Sequence, residues 1–102
     1  MKYQILQLKD ITKCPYAFLD FEDAKKNGFD LQDYEVLYEG EVILENNETH
    51  NDVLEMLFCD FNCGVHKDFQ GHSLSVSDIV QLTEDKDSKF YYCDPLGWTE
   101  LS

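Results

Sequence analysis

The sequence predicts an α+β fold, a four to six-stranded mostly antiparallel sheet with two helices. Three observations carry that reading. Several short runs rich in aromatic and branched residues are bounded by turn residues, as strands are. Two segments carry helix start and stop signals. At 102 residues and 43% hydrophobic, with seven Phe, six Tyr and one Trp, the chain has material for one core and room for one domain. That density of aromatic residues also excludes a disordered chain.

Taken in order, Lys2 to Leu8 alternates as a strand, with Tyr3, Ile5 and Gln7 on one face and Leu6 and Leu8 on the other. Pro15 breaks the chain, and Tyr16 to Leu19 is expected to form a second short strand. Asp20 is placed to cap a helix from Phe21 to Asn27. Glu22 and Asp23 lie in its first turn, Lys25 and Lys26 in its last, and Gly28 follows it. The charges suit both ends of the helix dipole. Tyr34 to Tyr38 reads as the next strand, stopping near Gly40, and Glu45 to Glu48 as a polar loop. Thr49, with Asp52 three residues on, approximates a capping box for a helix from about His50 to Phe61. Its apolar stripe is Val53, Leu54, Leu57, Phe58 and Phe61, and Gly64 ends it. Ser77 to Leu82 and Lys89 to Cys93 are expected to form a hairpin across the charged loop Thr83 to Ser88. Pro95 and Gly97 mark a turn into a short last strand, Trp98 to Leu101, and alternation puts Phe90 and Tyr92 in the core.

Charge separates the function classes. Twenty-one acidic residues against eight basic ones leave a formal charge of −13, and all eight basic residues are lysine. Such a field repels nucleic acid and anionic membrane and attracts basic surfaces. Direct nucleic-acid binding would need a basic patch that eight scattered lysines do not make. Without arginine the chain lacks the bidentate clamp for phosphate or carboxylate substrates, and it has no P-loop or GxGxxG fingerprint. There is no apolar run long enough for a membrane span and no signal-peptide pattern at the start. A cytoplasmic setting is therefore expected, with Cys14, Cys59, Cys63 and Cys93 reduced.

Three groups of residues invite chemistry. Cys59, Cys63, His66 and His72 are enough soft ligands for zinc, but their spacing matches no standard pair, and Cys59 lies near the apolar face of the helix. No metal or other cofactor is expected. His72 with Ser73, Ser75, Ser77 and Asp78 contains the residue types of a nucleophile and its base. Short Ser- and Asp-rich segments more often cap or turn the backbone, so no catalytic residue is assigned and an enzyme is not expected. The third group is acidic: Glu39, Glu41, Glu45, Glu48, Asp52 and Glu55 lie in a stretch that holds no lysine. Projected from one face, they would imitate a row of phosphates, and these six are the expected partner contacts.

The run Phe69-Gln70-Gly71-His72-Ser73-Leu74-Ser75-Val76-Ser77-Asp78-Ile79-Val80 resembles the signature of the YodL-like domain family. Tyr3 to Leu8, Tyr34 to Gly40 and Tyr91 to Trp98 resemble, in order, that family's first strand, its middle strand and its tyrosine-rich strand with an Asp-x-x-Gly-aromatic turn. Cys93 departs from the pattern, standing where an aliphatic residue is expected. The resemblance implies a domain of bacterial mobile elements and phage-related genes and supplies no catalytic residues. It implies a mainly architectural role for Gly71, His72, Ser73, Ser75, Ser77 and Asp78, with Gly71 permitting a tight turn. Acidity and that setting together lead to the expected function. This is a non-enzymatic inhibitor of bacterial immunity, anti-CRISPR or antirestriction, bound to a basic surface on an RNA-guided CRISPR nuclease or a restriction enzyme. The alternative is a structural or regulatory interaction module with no role in immunity, docking through Gly71 to Asp78. Oligomeric state has no signal in the sequence.

Overall fold

A computed structural model describes residues 1–45, 47–64 and 66–101. Its centre is a five-stranded antiparallel sheet, built from β1 (Lys2–Leu8), β2 (Tyr34–Glu41), β3 (Ile79–Glu84), β4 (Asp87–Asp94) and β5 (Gly97–Leu101) in the order β2-β1-β3-β4-β5. Helices α1 (Phe21–Lys26) and α2 (His50–Asn62) complete the α+β fold.

Both faces of the sheet are covered, which explains why β1 has apolar residues in each of its alternating rows. On one face Tyr3, Ile5, Val80, Leu82 and Tyr91 meet Val53, Leu54, Leu57 and Phe61 of α2. On the other, Leu6, Leu8, Ile79 and Tyr92 pack with Tyr16, Ala24 and Tyr34, backed by Phe21 and Phe29. Helix α2 starts on a full capping box, Thr49 accepting from Asp52 N and Asp52 accepting from Thr49 N. Asp20 caps α1 through Asp23 N, and Gly28 follows at φ +87, a conformation that favours glycine.

Four expectations need correction. Tyr16 to Leu19 is a turn rather than a strand. Phe18 has φ +66, which no strand accommodates, and Leu19 N donates to Tyr16 O at 3.1 Å. The Tyr16 ring is fully buried, so its apolar character serves the core from a turn. The strand expected from Ser77 begins at Ile79, because Ser77 has φ +85, and it runs on to Glu84. The charged loop Thr83 to Ser88 shrinks to Asp85 and Lys86, since Thr83 pairs with Ser88 and Glu84 with Asp87, and the Thr83 and Ser88 hydroxyls bond across the strands at 2.9 Å. Phe58 lies at the margin of the α2 stripe, 36% exposed and edge-on to Trp98. In the polar loop Glu45 to Glu48, Asn46 lies outside the described residues.

The β1–β2 register slips once. Ile5 pairs with Tyr38 and Leu6 with Val36, leaving Leu37 as the extra residue of a bulge. This places the Leu37 side chain beside Gly71.

An isolated helix of 13 residues is marginal in water, so α2 depends on its packing against the sheet. Leu54, 1% exposed at the centre of that contact, is the residue to test. Leu54→Ala should cost roughly 2–5 kcal/mol, read as a lower urea midpoint at unchanged slope. A loss well under 1 kcal/mol would mean that α2 does not close this core.

Candidate functional site

The segment from His66 to Asp78 has no regular structure and lies across the face that α2 also covers, with Leu74 buried beside the helix residues. Gln7 of β1 anchors it. This glutamine is 1% exposed in an otherwise apolar row. Its Nε2 donates to His72 O at 2.9 Å and to Asp78 Oδ2 at 3.0 Å, which fixes the orientation of the amide. Asp78 Oδ2 also accepts from Ser75 N at 2.9 Å, while Asp78 N donates to Ser75 O and Cys93 N to Asp78 O. Gly71 is required by close approach and not, as expected, by a tight turn. A Cβ there would come 2.7 Å from Phe69 Cζ and 2.9 Å from Leu37 Cδ1, and nearer still to Gln7 Oε1.

The Ser75 and Ser77 hydroxyls bond the backbone. Ser75 Oγ donates to Ser73 O at 2.9 Å. Ser77 Oγ accepts from Phe18 N at 3.1 Å, and the Ser77 carbonyl accepts from Tyr34 Oη at 2.5 Å. These contacts and the bond from Ser77 N to Cys93 O hold Ser77 in its left-handed conformation, a geometry that costs of order 1–3 kcal/mol. The His72 ring points its Nδ1 at the Ser73 carbonyl, 2.7 Å away, so Nδ1 carries the proton. Its Nε2 is buried without a hydrogen-bond partner, 3.7 Å from Asp78 Oδ1. The imidazole thus donates to a carbonyl and lies beside a carboxylate, and the arrangement is suited to holding the segment in place.

Burial pushes the Asp78 carboxyl up to about 7, against the opposing pull of Ser75 N–H, His72 and Gln7. Tyr34 and Cys93 also face it, and both are raised mainly by burial, the Cys93 thiol to about 12. Cys93 is therefore a protonated core residue at neutral pH.

The four soft ligands are separated. Cys59 and Cys63 are exposed at the end of α2 with Sγ atoms 3.7 Å apart. His66 stacks on Phe61 at 4.2 Å and bonds Tyr38 Oη, and His72 belongs to the Gln7 network. Among the described residues no group of three or more His, Cys, Asp or Glu is arranged to hold a metal ion.

The six acids are distributed rather than aligned. Glu39 bonds Gln4 Nε2 at 2.7 Å on the sheet face opposite α2, whereas Asp52 and Glu55 are carried by α2. The Asp52 carboxylate is engaged by its cap, Glu55 lies near Phe58 and Trp98, Glu45 is exposed, and Glu48 is half-buried. The structure instead adds acids that sequence proximity missed. Glu41 joins Glu84 and Asp85 of the β3–β4 turn around one cleft, with Lys2 among them, and Glu39 lines the adjoining cleft. Only the pairing of β1 with both β2 and β3 reveals this, because it brings residues some forty positions apart to one end of the sheet.

The Asp78 titration has a definite sign. A carboxyl raised to about 7 on folding, from an ordinary value of 3.8, stabilises the fold most below pH 4, and that contribution is lost as pH rises to 7. Asp78→Asn keeps an acceptor for Gln7 and Ser75 and removes the charge. The wild type should therefore lose stability relative to Asp78→Asn between pH 4 and 7, read from urea midpoints. Parallel profiles would place the Asp78 carboxyl in the ordinary range.

Among the described residues, no helix is long and apolar enough to cross a membrane. No curated protein and no solved structure matches the chain. The model of the YodL-like domain matches residues 2–102, a span that includes β1, the Gln7 network and the β4–β5 turn. The chain belongs to the YodL-like domain family.

Proposed function

We propose that this domain is a non-enzymatic inhibitor of bacterial immunity, anti-CRISPR or antirestriction, that occupies a basic nucleic-acid-handling surface with an acidic one of its own. The observation that carries the reading is the convergence of Glu39 and Glu41 on β2 with Glu84 and Asp85 at the β3–β4 turn, around adjoining clefts at one end of the sheet. With a formal charge of −13, the field at this end attracts a channel built for phosphates and speeds encounter with it. The contact set expected from sequence shifts accordingly. Glu39 and Glu41 stay in it, Glu84 and Asp85 enter, and Asp52, engaged in its cap, leaves. The mobile-element setting comes from the family resemblance and belongs to the proposal.

The test is cleavage of target DNA by an RNA-guided nuclease or a restriction enzyme, with the domain added before or after the nucleic acid. Wild-type protein should inhibit when added first, and inhibition should weaken as salt is raised. The triple variant Glu39→Lys, Glu41→Lys, Glu84→Lys, checked for an intact fold by circular dichroism, should lose at least tenfold in potency. Absence of inhibition in both systems would overturn the immunity reading. Equal inhibition by the folded triple variant would overturn the site. A partner captured with no sensitivity to salt would favour the interaction module without an immune role.

A further inference from the structure

The turn between β4 and β5 presents a second surface, at the end of β4 opposite Glu84 and Asp85. Pro95 and Leu96 form the tip, and Asp94 locks it. One carboxylate oxygen of Asp94 accepts from Phe21 N at 2.6 Å, and the other accepts from Thr99 Oγ1. The turn is thereby fastened to the first residue of α1. On this fixed support the Leu96 side chain is fully exposed, so its exposure is a matter of geometry and not of a loose loop.

A cleft flanks Leu96 on either side. One, of about 370 Å³, lies towards α1 and is lined by Asp20, Phe21 and Glu22. The other, of about 320 Å³, lies towards α2 and is lined by Glu55 and Phe58. Trp98, the only tryptophan of the chain, lines both. No lysine or histidine lines either cleft; Lys25 approaches from α1, where it pairs with Glu22 at 3.4 Å. Strand β5 pairs with β4 alone, so the clefts adjoin a sheet edge.

We infer that this turn docks a cationic protein segment that places an apolar side chain beside Leu96 and Trp98 and arginine against the carboxylates of Glu55 and Glu22. Apolar side chains at the centre and carboxylates at the rim match the usual division of an interface into an anchoring core and a polar border. Arginine suits the site better than lysine, since its planar guanidinium stacks on an indole while pairing with a carboxylate. Charge decides between occupants. A second copy would bring the same carboxylates and another −13 to the contact, and nucleic acid or an anionic membrane is repelled. Because Leu96 is held in place before binding, little ordering entropy is lost there.

Trp98 reports occupancy directly. The full chain at moderate salt is titrated with a short capped peptide alternating arginine and leucine, and with peptides alternating arginine with serine and glutamate with leucine. The arginine–leucine peptide should shift Trp98 emission to shorter wavelength and saturate. The arginine–serine peptide should bind at least tenfold more weakly, and the glutamate–leucine peptide should leave the emission unchanged. Leu96→Ser, a change at a fully exposed position, should weaken arginine–leucine binding at least tenfold, and Glu55→Lys should act in the same direction. The Glu39, Glu41 and Glu84 reversals lie on β2 and β3 at the opposite end of the sheet and should leave the Leu96 dependence in place. Failure here is thereby distinguishable from failure of the inhibitor reading. Equal binding by Leu96→Ser, or no saturable shift, would overturn the proposal. Self-association abolished by Leu96→Ser would also overturn it, by assigning the face to a second copy.

Discussion

Strand β1 is an interior strand of the sheet, hydrogen-bonded to β2 on one side and β3 on the other, and one of its core-facing positions is a glutamine. Burying an amide costs free energy unless its hydrogen bonds are made. The Gln7 Nε2 group makes them to the His72 carbonyl and the Asp78 carboxylate, residues within the motif Gly71 to Asp78. The irregular segment between α2 and β3 is thus tied to an interior strand of the sheet by a bond that water cannot easily replace. Much of the motif follows from this contact. Gly71 leaves room for the amide, Ser75 N–H supplies a second donor to Asp78, and Ser77 turns the chain into β3.

The same contact organises the second layer. Ser77 receives the Tyr34 hydroxyl from β2 and the Phe18 N–H from the turn after Pro15, so the segment that covers one face is hydrogen-bonded to elements that cover the other. Among the described residues, buried side-chain nitrogen and oxygen atoms are few and are paired with two exceptions, Gln7 Oε1 and His72 Nε2. The acids, in contrast, lie almost wholly at the surface, where ionised carboxylates stay solvated. Asp78 is the acid taken inside, and its raised pKa is the consequence.

The sequence makes local features legible and long-range ones not. The ends of both helices follow from Asp20, Gly28, Thr49 and Asp52, because a cap depends on neighbours within a turn. The strands of Lys2 to Leu8 and Tyr34 onward follow from alternation. Tyr16 to Leu19 is misread because an aromatic run has the same composition in a buried turn as in a strand. The loop Thr83 to Ser88 is misread because charge says nothing of register. The acidic end of the sheet depends on β1 pairing with both β2 and β3, and the exposed Leu96 on a two-residue turn. Pro95 and Gly97 mark that turn in the sequence, but the acidic end and the clefts beside Leu96 are not expressed in any short window. Gln7 is placed correctly on its face, yet its partner lies 71 residues away, so its role is visible only in the fold.

The Gln7–Asp78 bond secures the segment to the sheet. A double-mutant cycle on unfolding free energy, with Gln7→Ala, Asp78→Ala and the double variant, tests it most directly. The account predicts a coupling of about 1–3 kcal/mol between the two positions. Losses that add to within about 0.5 kcal/mol would contradict it.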